Sequence, residues 1–248
     1  MNDPLQGSMI AIHGPPKIGK TQVASHFPGP VQFLATEFGH KFLPDDQKEH
    51  LIQLPPDTGW DVFRAVVKKE KKFGWKPKTI VIDTISGLYQ LCFDWICREN
   101  RWSHPSDDGH GKGWAAIRRE FADALNRLAH LAAGYGSTLV VLDHTKEELI
   151  ETTTANIKKL TFGMSGQARD IVLRIPDYMW FIGYAEEDPS DAKKVYSDKR
   201  ALFIRGNSNV EAGTRNKQVK VRVIMPLSEK DPYKQILRKL NGETKENE

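Results

Sequence analysis

Eight consecutive residues near the start of the chain, Gly14-Pro15-Pro16-Lys17-Ile18-Gly19-Lys20-Thr21, match the pattern Gly-x4-Gly-Lys-Thr/Ser. Residues of these types at this spacing suit one kind of chemistry. The glycines let the backbone turn so that successive N–H groups point inward at a helix N-terminus, where they can cradle a phosphate. Lys20 would reach the β- and γ-phosphates of a nucleoside triphosphate, and the Thr21 hydroxyl would ligate Mg²⁺. The flanks agree with this, since the apolar run Met9–His13 precedes the segment and the helix-compatible Thr21–Phe27 follows it. Strand, loop and helix in that order are the context this phosphate-binding motif requires.

Two carboxylates and a histidine sit where further apolar runs end. Asp83 closes Thr79-Ile-Val-Ile-Asp83, about sixty residues after the glycine-rich loop. It can hold the hydration shell of the magnesium ion, although an aspartate at a strand end also serves as a turn or N-cap residue. Glu37 closes the run that begins at Val31. A carboxylate there can polarise the water that attacks the γ-phosphate, or it can be a surface or capping group. His144 follows Thr138-Leu-Val-Val-Leu-Asp143. At a strand tip it can touch the γ-phosphate and report it to the next loop, or it can be a satisfied structural histidine.

These groups need a scaffold that brings strand ends together. Apolar, β-branched runs predict strands over Met9–His13, Val31–Thr36, Thr79–Asp83, Thr138–Asp143, Tyr178–Tyr184, Ala201–Arg205 and Val219–Met225. The runs are continuously apolar rather than alternating, as expected of strands covered on both faces. Helical patterns fall between them, over Asp61–Lys72, over Ser86–Glu99, which is apolar nearly all round, and over Gly113–Ala133. The alternation predicts an α/β fold, a doubly wound, mostly parallel twisted sheet in a three-layer αβα sandwich. Two long segments, Arg101–Lys112 and Glu147–Ser165, fit no regular element and read as functional loops.

Composition narrows the class. The 248 residues are 39% hydrophobic and 27% charged, which excludes collagen-like, disulfide-scaffold and wholly disordered chains. A single domain over residues 1–240 and a disordered polar tail over 241–248 are expected. No apolar run approaches the ~18–20 residues of a membrane span. The start, MNDPLQGSMIAIHG, lacks the pattern of a signal peptide, so a cytoplasmic protein without membrane contact is expected. Cys92 and Cys97 lie five apart on a helical pattern with no other Cys or His pair nearby. Buried free thiols are therefore favoured over zinc or a disulfide. Lysine and arginine number 36 against 32 acidic residues, a net charge of +4. Residues 213–240 alone carry eight cations and two carboxylates, a net +6, so the basic excess is concentrated there. A surface facing phosphate would have that bias, and so would a solvated strand and tail.

Taken in order, the loop at Gly14–Thr21, the LATE segment at Leu34–Glu37, TIVIDTISGL from Thr79 and TLVVLDH from Thr138 resemble the core of RecA-type P-loop ATPases. The resemblance extends from about Met9 to Met225. Within that superfamily the chain is most similar to compact bacteriophage RecA-like ATPases associated with single-strand annealing and recombination. The words LATEFG, GHGKGW and SGQARDIVLRIPDYMW carry that likeness.

The resemblance implies that Glu37 activates the hydrolytic water and that His144 replaces the glutamine that senses the γ-phosphate. Thr214-Arg215-Asn216-Lys217-Gln218 resembles the paired basic residues such proteins insert into a neighbour's site, which makes Arg215 and Lys217 trans-acting cations. The segments Arg101–Lys112 and Lys146–Ser165 correspond to DNA-binding loops. Arg101, Trp102, Lys112, Lys146, Lys158, Lys159 and Arg169 would then contact single-stranded DNA, by phosphate pairing and aromatic stacking. Trp114 reads as a residue of the helix core. The implied function is an ATP- and Mg²⁺-dependent, self-associating ATPase that anneals or exchanges single strands, with a single-strand-binding protein as a further partner. A DNA helicase or translocating motor on the same core, a small-molecule P-loop kinase and a non-hydrolysing nucleotide switch are the alternatives.

Overall fold

A computed structural model describes residues 3–68, 77–109, 111–151, 156–164, 166–186 and 196–243. In chain order its elements are β1 (Met9–Gly14), α1 (Lys20–Ser25), β2 (Val31–Ala35), α2 (Asp45–Lys48), β3 (Leu51–Gln53), α3 (Gly59–Val67), β4 (Thr79–Asp83), α4 (Ile85–Asn100), α5 (Lys112–Gly134), β5 (Thr138–Glu151), β6 (Asn156–Phe162), α6 (Gly166–Arg174), β7 (Tyr178–Glu186), β8 (Tyr196–Phe203), β9 (Gly213–Thr214), β10 (Val223–Ile224) and α7 (Pro232–Leu240). The sheet runs β10-β8-β7-β1-β5-β4-β2-β3, with β6 paired to β5 and β9 to β7. From β7 to β3 every pairing is parallel, while β8, β10, β6 and β9 join antiparallel.

Alternate residues of the central strands feed two separate cores, which is why their sequences are apolar without a break. Met9 and Ala11, Ile80 and Ile82, and Leu139 and Val141 pack with α3, α4, α5 and α6 on one face. Ile10 and Ile12, Val81, and Val140 and Leu142 pack with α1 and α7 on the other. The result is the expected three-layer α/β sandwich of a P-loop NTPase. Since β5 lies between β1 and β4, the carboxyl ends of β1, β5, β4 and β2 open on one side of the sheet.

Local chemistry sets the start of the helix that follows β4. Thr84 caps α4 by accepting a hydrogen bond from the Gly87 N–H at 3.3 Å. A side chain at Gly87 would collide with Thr36, so glycine here lets the end of β2 rest against the first turn of α4.

Several sequence expectations change. Glu147–Ser165 is not an irregular loop: β5 runs on to Glu151 and folds back antiparallel as β6, pairing Thr145 with Phe162 through Glu151 with Asn156. Charged residues, including Lys158 paired across the hairpin with Glu147 at 2.8 Å, interrupt the apolar positions and hide the strand pattern. The threonines at 152–154 lie outside the described residues. Of Val219–Met225 only Val223–Ile224 forms a strand, paired with β8, while the Val219 carbonyl accepts from the Arg205 guanidinium.

The helix expected over Asp61–Lys72 spans Gly59–Val67, and residues 69–72 are not described. Helix α4 buries Leu88, Leu91, Cys92 and Ile96 but exposes Gln90 and Glu99, so it is amphipathic rather than apolar all round. Arg101–Lys112 contains a 3-10 turn at Pro105–Asp108, held by Asp107 accepting from the Ser103 and His104 N–H groups. Lys112 itself begins α5. Residues 241–243 of the expected tail continue the hydrogen bonding of α7. Cys92 and Cys97 are free and buried, as expected.

Trp114 is 39% exposed and leans edge-on against Phe93 and His104, whereas Phe121, two turns along α5, is fully buried. Trp114 is therefore not a core residue. Phe121→Ala should lower the unfolding free energy by about 3–5 kcal/mol, and Trp114→Ala by about 1 kcal/mol, the worth of one aromatic contact. Urea titration followed by circular dichroism measures both. Equal losses would contradict this orientation of α5.

Candidate functional site

The loop between β1 and α1 turns through two left-handed residues, Lys17 (φ 63°) and Gly19 (φ 95°). At Gly19 any side chain would also strike the Arg200 guanidinium, which donates to the Ile18 carbonyl at 3.2 Å and to Gln22 Oε1 at 3.1 Å. Arg200 belongs to β8, so the far strand braces the loop. Pro16 and Lys17 are exposed at its crest, Pro15 and Gly19 are half-buried, and Gly14 and Ile18 are buried at its base.

Lys20 turns back beneath this loop. The residue is 6% exposed, and its ammonium donates to the carbonyls of Gly14 and Pro15, each at 2.9 Å. Burial pulls its pKa below the usual lysine range, and the carboxylates of Asp83, Asp143 and Glu37 push the other way. Thr21 donates its hydroxyl to Asp83 Oδ2 at 2.7 Å across the gap between α1 and β4. Burial pushes the Asp83 carboxyl up, opposed by that hydrogen bond.

Glu37 and His144 complete the cluster. His144 lies 3.4 Å from Lys20 Nζ through Nδ1 and 3.4 Å from Glu37 Oε1 through Nε2. One tautomer, with the proton on Nε2, satisfies both contacts. Glu37 also accepts from the Thr84 hydroxyl at 3.1 Å and stays about half exposed, within reach of water. Lys20, Thr21, Glu37, Asp83 and His144, separate in sequence, thus converge at the carboxyl ends of β1, β2, β4 and β5.

Thr21 and Asp83 are hard oxygen donors side by side next to the phosphate loop. A magnesium ion that keeps most of its waters and takes the rest of its shell from phosphate oxygens suits such a pair. Among the described residues no group of three or more His, Cys, Asp or Glu converges as metal ligands.

Three neighbours escape a motif search. Asp143, 1% exposed, accepts from Ser86 at 2.7 Å, and burial raises its pKa. His13, directly before the loop, is fully buried between Thr145 Oγ1 at 2.9 Å and the Glu211 carbonyl at 2.6 Å. Glu211 in turn pairs with Arg169 at 2.9 Å, and Arg169 with Glu148 at 3.2 Å. His13 thereby joins β1 to the root of the β5–β6 hairpin. A histidine ending an apolar strand beside the loop was the available signal for it.

The other expected residues lie apart. Arg215 and Lys217 follow β9, which pairs with the first residues of β7, at the end of the sheet away from the phosphate loop. The Arg215 guanidinium donates to the Arg174 carbonyl. On the hairpin, Lys146 is paired with Glu148 at 2.9 Å and Lys158 with Glu147, while Lys159 is half-buried; on α6, Arg169 is paired with two carboxylates. Arg101 and Lys112 are exposed and unpaired among the described residues, while Trp102 is half-buried against the core. Trp114, rather than Trp102, is the more open aromatic beside them.

A family model described as an AAA domain matches residues 6–216. No curated protein matches the chain. No helix among the described residues is long and apolar enough to cross a membrane.

Burial pushes the His13 pKa down to about 4. The folded protein holds it neutral while an unfolded chain takes up a proton below about pH 6.5, so its contribution is present above that pH and is lost as pH falls towards 4. Between pH 7.5 and 5 the loss is roughly 2 kcal/mol. Urea unfolding at the two pH values should show wild type losing about that much more than His13→Gln. Parallel losses would mean His13 is not held neutral.

Proposed function

That match spans most of the chain, so the protein belongs to the AAA domain family, and we propose that this ATPase-type domain hydrolyses ATP with Mg²⁺ and couples the nucleotide to single-stranded DNA. The convergence of Lys20, Thr21, Asp83, Glu37 and His144 on one loop carries the reading.

The chemistry follows from the positions. ATP phosphates would enter the cradle of N–H groups at Gly14–Thr21, and their oxygens would replace the Gly14 and Pro15 carbonyls as acceptors for Lys20. Thr21 and Asp83 would hold Mg²⁺, which when bound neutralises phosphate charge. Glu37, open to water and steadied by Thr84, would accept a proton from the attacking water and fix its direction. Charge growing on the γ-phosphate would be met by Lys20. His144 touches both Lys20 and Glu37, so a change at the phosphate would alter its contacts.

The next residue, Thr145, is bonded to His13 and opens the hairpin, which supports coupling to a second ligand. The sequence resemblance supports a single DNA strand as that ligand, and annealing or strand exchange as the outcome. Such coupling requires ATP to favour one hairpin arrangement over another. Arg215 and Lys217 are too far round the sheet to serve their own P-loop. A role for them in hydrolysis therefore needs self-association, with the pair reaching a neighbouring subunit's nucleotide.

The test is ATP turnover with Mg²⁺, with and without single-stranded DNA, at low and moderate salt. Stimulation that fades as salt rises is expected. Turnover indifferent to DNA, with phosphorylation of a small acceptor, would favour the kinase alternative, and directional unwinding of a forked duplex would favour a motor.

Lys20→Ala should abolish hydrolysis, while Glu37→Gln should retain ATP binding and lose about 10²–10⁴-fold in turnover, the worth of a general base. Wild-type turnover by Glu37→Gln would return Glu37 to a structural role. Arg215→Ala should also turn over slowly, and mixing it with Lys20→Ala should restore part of the activity through mixed interfaces. No gain on mixing would argue against a shared site.

A further inference from the structure

The hairpin expected to meet nucleic acid has little positive charge to offer. Its Lys146 and Lys158 and the adjacent Arg169 are each matched by a carboxylate within 3.2 Å. A phosphate binding there must first displace Glu147, Glu148 or Glu211. Lys159, half-buried, is the one hairpin lysine without an ion-pair partner among the described residues, and a denser group of unmatched cations lies elsewhere.

Between the end of β8 and the start of β10 is an open cleft of about 440 Å³ lined by Arg205, Gly206, Lys220 and Arg222. Three of the four lining residues are cations and none is acidic. None of the three has an ion-pair partner among the described residues. The cleft is firmly built, because the Arg222 carbonyl accepts from both the Ile204 and Arg205 N–H groups at 2.8 and 3.2 Å. The Arg205 guanidinium is anchored on one side by the Val219 carbonyl, and its Nε is buried without an acceptor. Such a guanidinium is oriented before any ligand arrives.

This cleft is separate from the P-loop. Arg200 touches Ile18 of that loop, and Arg205 lies five residues further on, past the end of β8, which runs away from the loop antiparallel to β7. Its openness suits one stretch of a polyanion that continues beyond it rather than a small molecule needing enclosure. Val223 and Met225, 40% and 54% exposed, follow Arg222 and offer apolar surface to unpaired bases.

We propose that Arg205, Lys220 and Arg222 form a second phosphate-binding site that takes the phosphodiester backbone of a single-stranded nucleic acid. The inference rests on the DNA-coupled reading above and moves the main backbone contact from the hairpin to this edge of the sheet.

The test is fluorescence anisotropy of a labelled oligothymidylate titrated with full-length protein over a range of salt. The wild type is compared with Lys220→Gln/Arg222→Gln and with Lys158→Gln/Lys159→Gln, each checked for folding by circular dichroism. The cleft variant should bind about tenfold more weakly at low salt, with a salt slope shallower by about 1.4, the value for two lost phosphate contacts on a single strand. The hairpin variant should keep the wild-type slope.

The reverse pattern would overturn the proposal and leave DNA coupling standing. No binding by wild type would remove both. ATP turnover without DNA is read in parallel. A concentration-dependent fall in the cleft variant would identify a neighbouring copy's nucleotide as the phosphate source and also overturn the proposal.

Discussion

A lysine ammonium held almost out of water is the demand around which the rest of the site is organised. An isolated buried cation is expensive, and a protein that keeps one must surround it with oxygen. Lys20 meets this at two ranges. The carbonyls of Gly14 and Pro15 are direct acceptors, and Asp83, Asp143 and Glu37 contribute negative potential without forming an ion pair with it. Those carboxylates arrive on β4, on β5 and just past β2. They surround one point only because β5 is inserted between the loop strand and β4. Sheet order and the charge of one side chain are therefore parts of a single arrangement.

The same logic explains why the carboxylates tolerate burial. Asp83 and Asp143 are each pushed towards the neutral form, and each receives one short hydroxyl hydrogen bond, from Thr21 and from Ser86. These two hydroxyls begin or nearly begin helices α1 and α4. The helices thus do more than cover the sheet, since their first turns deliver the donors that keep acids at the strand tips in place.

What the sequence disclosed and what it withheld divide along physical lines. Strand β1, the loop and β4 were legible because continuous apolar runs and a glycine-lysine spacing are local signals. The clustering of Glu37 with His144 was legible as position but not as contact, since the sharing of Lys20 and Glu37 by one imidazole needs three strands in register. The β5–β6 hairpin is hidden in the sequence because charged residues interrupt its apolar positions, with Lys146 and Glu148 paired along β5 and Lys158 paired with Glu147 across the hairpin. For His13 the position beside the loop is legible, but its contacts with Thr145 and Glu211 are not. Those partners lie 132 and 198 residues from His13, and no local pattern encodes such separations.

The two cysteines have a practical bearing on how this molecule can be watched. Cys92 is fully buried on α4 and Cys97 nearly so, and burial holds both thiols in the protonated form, which is the unreactive one. The natural chain therefore comes close to being silent towards maleimides and similar reagents. A single cysteine introduced on the exposed surface would carry a dye or spin label almost alone, with no need to remove the native pair from the packing between α4 and α5. A pair of such cysteines, one on the hairpin and one near the phosphate loop, would make the distance between them accessible to resonance-energy-transfer measurements with the native thiols left in place.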